Sequence, residues 1–150
     1  MALLSAVLSV MASPAQTFTT LVSFAGTDAG TPGFGPLIQA TDGQLYGTTQ
    51  SGGAYGYGPG LNGAGTIFKL TTSGTLTSLY SFCAQVNCTD GQYPAAGLVQ
   101  GADENFYGTT SAGGANGSGT VFRFTMGGTF TTLHSFKALA GPMAPTLWVG

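Results

Sequence analysis

The chain has 150 residues, 43% of them hydrophobic, which suffices for one ordinary domain with a core and argues against disorder. Its 26 glycines follow no three-residue period and accompany only 7 prolines, which excludes a collagen helix. Three Lys and Arg against five Asp and Glu exclude a nucleic-acid partner, because so few cations cannot neutralise a run of phosphates.

Residues 1–15 hold an apolar run with no Lys or Arg before it, followed by the small residues Ser13 and Ala15. The run is too short to cross a bilayer as a helix but matches the core of a cleavable export signal; a buried N-terminal segment is the alternative. The expectation is a secreted or cell-surface protein whose mature chain begins near Gln16. No other stretch reaches membrane length, so no membrane span is expected.

From residue 16 onward the chain repeats itself. Residues 45–54, LYGTTQSGGA, return at 106–115 as FYGTTSAGGA, with seven of ten positions identical. Residues 63–82, GAGTIFKLTTSGTLTSLYSF, return at 117–136 as GSGTVFRFTMGGTFTTLHSF, with eleven of twenty identical. A shorter echo, TFTTLVSF, stands at 17–24. These matches divide the chain into a partial repeat 16–34, repeats 35–94 and 95–136, and a degenerate start of a further repeat over 137–150. Lengths differ in the Tyr- and Gly-rich stretch 55–61 and in the cysteine-bearing stretch 83–90, as surface loops permit.

Each unit holds four strand candidates rich in Thr, Val, Ile, Phe and Tyr and bounded by turn signals. In the first complete unit they are Leu37–Ala40, Leu45–Thr49, Thr66–Thr71 and Thr75–Phe82, with Thr41-Asp42-Gly43 and Ser73-Gly74 as turns. Alternation places Thr66, Phe68 and Leu70 on one face and Ile67 and Lys69 on the other. The same rule groups Leu76, Ser78, Tyr80 and Phe82 against Thr77, Leu79 and Ser81. Both faces carry apolar residues, so each sheet is expected to pack on both sides. The predicted fold is all-β: tandem four-stranded antiparallel repeats, resembling propeller blades, in a partial or open propeller. Two complete units are too few to close a propeller, so the chain reads as a fragment of a longer repeat protein, a small open sheet pair, or one subunit of an assembly that closes between chains, the fragment being the favoured reading.

The ordered elements Tyr-Gly-Thr-Thr, Ser-Gly-Gly-Ala, Gly-Thr-Ile-Phe and Leu-Tyr-Ser-Phe resemble the GloVer-type tandem repeat of exported bacterial proteins, over nearly everything from Thr17 to Phe136. The resemblance implies an extracellular protein with many repeat copies. Asp28 with Pro32, and Asp90 with Pro94, fit the loop that precedes the first strand in that family.

Several side chains are candidate sites. Cys83 and Cys88 flank four residues in one copy only; in an exported chain they read as a local disulfide, with free thiols or a metal site as alternatives. A zinc site needs further ligands, and His134, the single histidine, is a poor source. His134 takes the place of Tyr80 in its repeat, so a packing or surface role is expected rather than general-base work. Asp42 and Asp103 occupy equivalent turns, where Asp bonds its own backbone, and Glu104 replaces Gly43. Catalysis by such carboxylates, or calcium binding, is the less favoured reading. Gly52-Gly53 and Gly113-Gly114 lack the Lys of a phosphate loop and read as flexible or left-handed turns. Asn87-Cys88-Thr89 and Asn116-Gly117-Ser118 match a glycosylation pattern, which matters only in a cell that glycosylates such sites. Tyr46 and Tyr107 recur and are expected between sheets; Tyr55 and Tyr57 decorate the inserted loop and are the candidate ligand contacts.

The expected function is a non-enzymatic exported module with a structural or binding role toward a cell-surface protein or glycan. No cofactor is expected, and open sheet edges offer a route to self-association. The alternatives are an extracellular polysaccharide hydrolase or lyase using Glu104, and a fragment without independent function.

Overall fold

The computed structural model describes residues 16–24, 30–56 and 63–138; the proposed leader 1–15, Asp28, Tyr57 and all but the first two residues of the degenerate repeat start 137–150 lie outside them. Two antiparallel sheets account for the repeats. The first holds β1 (Ile38–Gln39), β2 (Leu45–Thr49), β3 (Thr66–Leu70) and β4 (Leu76–Ser81) in that order. The second holds β5 (Gln92–Pro94), β6 (Val99–Gln100), β7 (Phe106–Ala112), β8 (Thr120–Phe124) and β9 (Phe130–Ser135), with β5 and β6 both paired along β7. Each unit is therefore an up-and-down sheet, and the second has five strands where four were predicted.

The fifth strand exists because the first strand of the unit is broken. Gln92 pairs with Ala112 and Pro94 with Thr110, then Ala95–Gly97 interrupt, and Val99 resumes against Tyr107. Pro94 lacks an N–H and is tolerated on this edge strand, where no further strand needs the bond. Pro32 makes the same contact with Thr49 as a single bridge in the first unit.

Four repeated devices hold each sheet. Gly47 lies opposite Phe68, and Gly108 opposite Phe122, so each ring lies across a bare backbone. A Cβ on Gly47 would stand 2.7 Å from the Phe68 ring, and one on Gly108 2.5 Å from Phe122. Next, Thr49 and Thr66 pair their hydroxyls at 2.9 Å while the Thr66 N–H donates to Thr49 Oγ1 at 3.0 Å, and Thr110 with Thr120 repeats both distances. All four threonines are buried, so these bonds satisfy polar groups that water cannot reach. Third, Ser81 and Ser135 each accept the backbone N–H of the alanine in the double-glycine loop, Ala54 at 3.1 Å and Ala115 at 3.2 Å. Finally, Thr71 and Thr125 close the β3–β4 and β8–β9 hairpins by accepting the N–H of Thr75 and Thr129.

A bulge corrects the predicted alternation. Ile67 faces Tyr80 while Phe68 faces Ser78, so Leu79 is the extra residue, and Tyr80 points to the face opposite Ser78. Leu133 holds the same place between Thr132 and His134. One added residue inverts the parity of everything after it. The inversion sends Tyr80 into the space between the sheets, where its ring stacks on Phe130 at 4.2 Å with planes 4° apart.

The core lies between the two sheets. Tyr46, Ile67 and Phe82 from the first unit meet Leu98, Phe106, Phe122 and Phe124 from the second. Tyr46 packs on Phe106 at 4.4 Å, and Phe82 meets Phe122 edge-on at 5.3 Å. Polar links cross the same boundary: Thr48 Oγ1 donates to Ala96 O at 3.1 Å, and the Thr41 N–H donates to Gln100 Oε1 at 3.1 Å. On the far face of the first sheet, residues 16–24 lie across β2 and β3, with Phe24 edge-on to Phe68 at 5.2 Å. The expectation of packing on both faces thus holds for the first sheet. Among the described residues, the second sheet has one covered face.

Candidate functional site

The two ends of the sheets differ. At one end the β1–β2, β3–β4, β6–β7 and β8–β9 hairpins are short and alike. At the other, the β2–β3 connection runs over residues 50–65 in the first unit, and its counterpart β7–β8 over 113–119. The β4–β5 connection leaves from that same variable end, because antiparallel β2 and β4 run in one direction. Both inserted stretches therefore meet there. The loop bearing Tyr55 and the loop bearing the cysteines border a groove of about 280 Å³, lined by Tyr55, Ser78, Leu79, Tyr80, Ser81 and Ala84.

The cysteine loop is fixed from within. Cys83 and Cys88 are disulfide-bonded, and Cys83, Asn87 and Cys88 take positive φ values of 65°, 58° and 51°. Asp90, fully buried, anchors the loop to the sheet. It accepts the Tyr80 hydroxyl at 2.7 Å, the Ala84 N–H at 2.9 Å and the Gln85 N–H at 3.3 Å. Burial raises the Tyr80 phenol far above its ordinary value, and the hydrogen bond to Asp90, the charge of Asp90 and the nearby Tyr55 add to the rise. Tyr80 is therefore a neutral donor on the groove wall. Tyr55 is half exposed beside it and presents an aromatic surface with a hydroxyl.

The other described carboxylates, Asp42, Asp103 and Glu104, lie in the hairpins at the other end. Asp42 accepts the Tyr46 hydroxyl at 2.8 Å and the Gln44 N–H at 3.0 Å. Asp103 does the same for Tyr107 at 2.8 Å and Asn105 at 3.3 Å. Burial, then the bond to Asp42 and its charge, push the Tyr46 phenol up to about 12. The Asn105 side chain, then Tyr107, hold the Asp103 carboxyl below its usual range. Glu104 stands exposed at the hairpin tip with φ of 62°, the left-handed conformation that Gly43 takes at 77° in the other copy. Among the described residues, no three His, Cys, Asp or Glu side chains gather as a metal site would require.

The sequence-predicted residues thus separate. Tyr55 and the Cys83–Cys88 loop come together at the groove, while Tyr57 lies outside the described residues. Gly52, Gly53, Gly113 and Gly114 are left-handed, as their loops predicted. Tyr46 lies between the sheets, but Tyr107 turns outward: it occupies the equivalent face of the second sheet, where no described sheet follows. His134 is exposed on that same face, edge-on to Phe136 at 5.2 Å. The Tyr80–Asp90 pair was missed, because the bulge hid which face Tyr80 occupies. Its signal was an aspartate recurring before Pro94 in a loop of otherwise variable sequence.

Among the described residues no helix is long and apolar enough to cross a membrane. No curated protein and no solved structure matches the chain. The family model of the Gloeobacter/Verrucomicrobia repeat does match, over residues 7–146, and the repeated Tyr-Gly-Thr-Thr, Gly-Thr and Ser-Phe elements that build both sheets place the chain in that family.

Proposed function

We propose that the protein is an exported, non-enzymatic repeat module of the cell surface that binds a neutral glycan or protein partner at the loop end of its sheets. The observation that carries this is the division of polar residues. Those shared by the repeats are used inside the sheets and hairpins, whereas the unshared Tyr55 and the disulfide loop converge on one open groove. The Ser78 hydroxyl, and the O–H that Ser81 keeps free while its oxygen accepts from Ala54, stand beside an exposed aromatic and suit an uncharged, hydroxyl-rich ligand. The scarcity of charge in the chain points the same way. Export is supported by the leader-like residues 1–15 and by a disulfide, which persists in oxidising compartments. Face-to-face stacking of successive sheets fits the blades of a propeller.

The test is titration of neutral envelope oligosaccharides and surface-protein extracts against the wild type and Tyr55→Ala. Binding that weakens about tenfold in the variant, with unchanged melting, supports the reading. Binding indifferent to Tyr55 removes the groove from it. Glycan cleavage abolished by Glu104→Gln would favour the hydrolase instead.

A further inference from the structure

The boundary between the two sheets shows what covers each kind of face, and both kinds recur on the outside of the molecule. In the boundary, the first sheet contributes Tyr46, Thr48 and Ile67, which are 4%, 6% and 0% exposed. Their counterparts on the outer face of the second sheet are Tyr107, Thr109 and Val121; Thr109 is exposed, and the other two are only partly buried. The second sheet in turn contributes Leu98, 2% exposed, whose counterpart Leu37 on the outer face of the first sheet is 46% exposed. Val99 is likewise 66% exposed where its counterpart Ile38 packs against the core.

Over Leu37, Gly47, Phe68 and Leu70 runs an apolar trough of about 390 Å³. The equivalent space between the sheets is filled by Tyr46 and Ile67. Residues 18–22 and Phe24 form the other wall of this trough. Phe24 holds the place that Phe82 of β4 holds at the boundary: it meets Phe68 at 5.2 Å and 68°, as Phe82 meets Phe122 at 5.3 Å and 64°. The segment carries no ladder pairing among the described residues.

We infer that the occupant of the trough is a second copy of this chain, docked head to tail, its Tyr107–Thr109–Val121 face seated on the Leu37–Phe68 face of the first. The docked interface repeats the internal boundary. Tyr107 and Val121 fill the trough, Thr109 donates to the Gly35 carbonyl as Thr48 does to Ala96, and the Ala102 N–H donates to Gln39 as Thr41 does to Gln100. The incoming β9 takes the place of residues 16–24, which yield it. Because the two surfaces differ, each copy keeps one of each, and association continues until a ring closes or a filament grows. This contact joins faces, not the strand edges on which the sequence placed self-association.

The experiment is sedimentation of the full chain with two variants, Leu37→Asp on one face and Val121→Asp on the other, each checked for cooperative melting. The wild type should grow in mass with concentration, up to about 0.5 mM, where an interface of micromolar Kd is saturated. Each variant alone should associate at least about 100-fold more weakly, since an unpaired carboxylate is buried. An equal mixture should form a heterodimer that grows no further, each partner supplying its intact face. A monomeric wild type, a variant that still associates alone, or a mixture that stays monomeric overturns the inference.

Discussion

Replacing Gly108 with Ala adds one carbon where the sheet has no room for it. The new Cβ would lie 2.5 and 3.0 Å from two carbons of the Phe122 ring and 3.2 Å from a Leu98 methyl. Carbon atoms settle at about 3.5–4.0 Å, so the nearest contact is short by roughly 1 Å. The ring has nowhere to go: Phe122 is fully buried, with Phe82 at 5.3 Å and Phe130 at 5.2 Å. Overpacking a filled core costs about 1–3 kcal/mol, and this site belongs near the upper end. At Gly47 the same change meets Phe68 and Leu37 at 2.7 Å, but Leu37 is half exposed and can swing away, so the cost is smaller. Gly43 has open space around it, and only its φ of 77° opposes Ala, at about 1 kcal/mol. Urea unfolding of the three variants should rank Gly108→Ala as the most destabilised and Gly43→Ala as the least. Phe122→Leu, which withdraws the ring, should partly rescue Gly108→Ala, with a coupling of about 1 kcal/mol. Additive effects within about 0.3 kcal/mol would refute the steric argument.

Thr49→Val keeps the shape but removes the acceptor of the buried Thr66 N–H; it should cost about 1–3 kcal/mol in urea unfolding, and Thr110→Val, which also loses the bond to the Ala112 carbonyl, should cost at least as much. Reducing the Cys83–Cys88 bond releases a loop of few residues and should lower stability by about 2 kcal/mol, read as a fall in Tm with dithiothreitol that Cys83→Ser/Cys88→Ser reproduces without it. High pH should unfold the protein. Tyr46 and Tyr80 both have folded pKa values raised above the ordinary 10, so the stability they confer is complete below pH 10; Tyr46's share is lost as pH rises through about 12, and Tyr80's only at still higher pH. Ultraviolet titration should show these two phenols ionising late and together with loss of sheet circular dichroism; their early ionisation in the folded chain would contradict the burial assigned to them.

The parts of the fold that sequence revealed are those with a local cause. Leu45–Thr49 and its repeat are dense in strand formers and end at double glycines, and β2 has those bounds. What periodicity missed depends on partners. Leu79 looks like any alternating residue, and only the pairing of β3 with β4 identifies it as the bulge that turns Tyr80 inward. β5 was hidden by Pro94 and by Tyr93, whose φ of 58° suits no strand interior. Tyr46 and Tyr107 read identically, yet one is buried and the other is not, because burial here depends on which sheet comes next. Tyr55 was legible as an exposed aromatic in an insertion. That it borders the cysteine loop follows from strand direction, which composition does not encode.

The unequal ends of the sheets divide the chain into a part that tolerates rewriting and a part that does not. Each short hairpin is tied by a side chain that spans it, Asp42 to Tyr46 at one and Thr71 to Thr75 at the next, so lengthening it cuts the tie. The loops of the other end are tied at their roots: Ala54 to Ser81 and Ala84 to Asp90. Beyond those roots, sequence is free to lengthen or change without loosening a strand. The molecule thus has the layout of a grafting scaffold, in which foreign segments inserted after Tyr55, or in the cysteine loop beyond the Ala84 and Gln85 ties to Asp90, are displayed side by side on an unaltered frame.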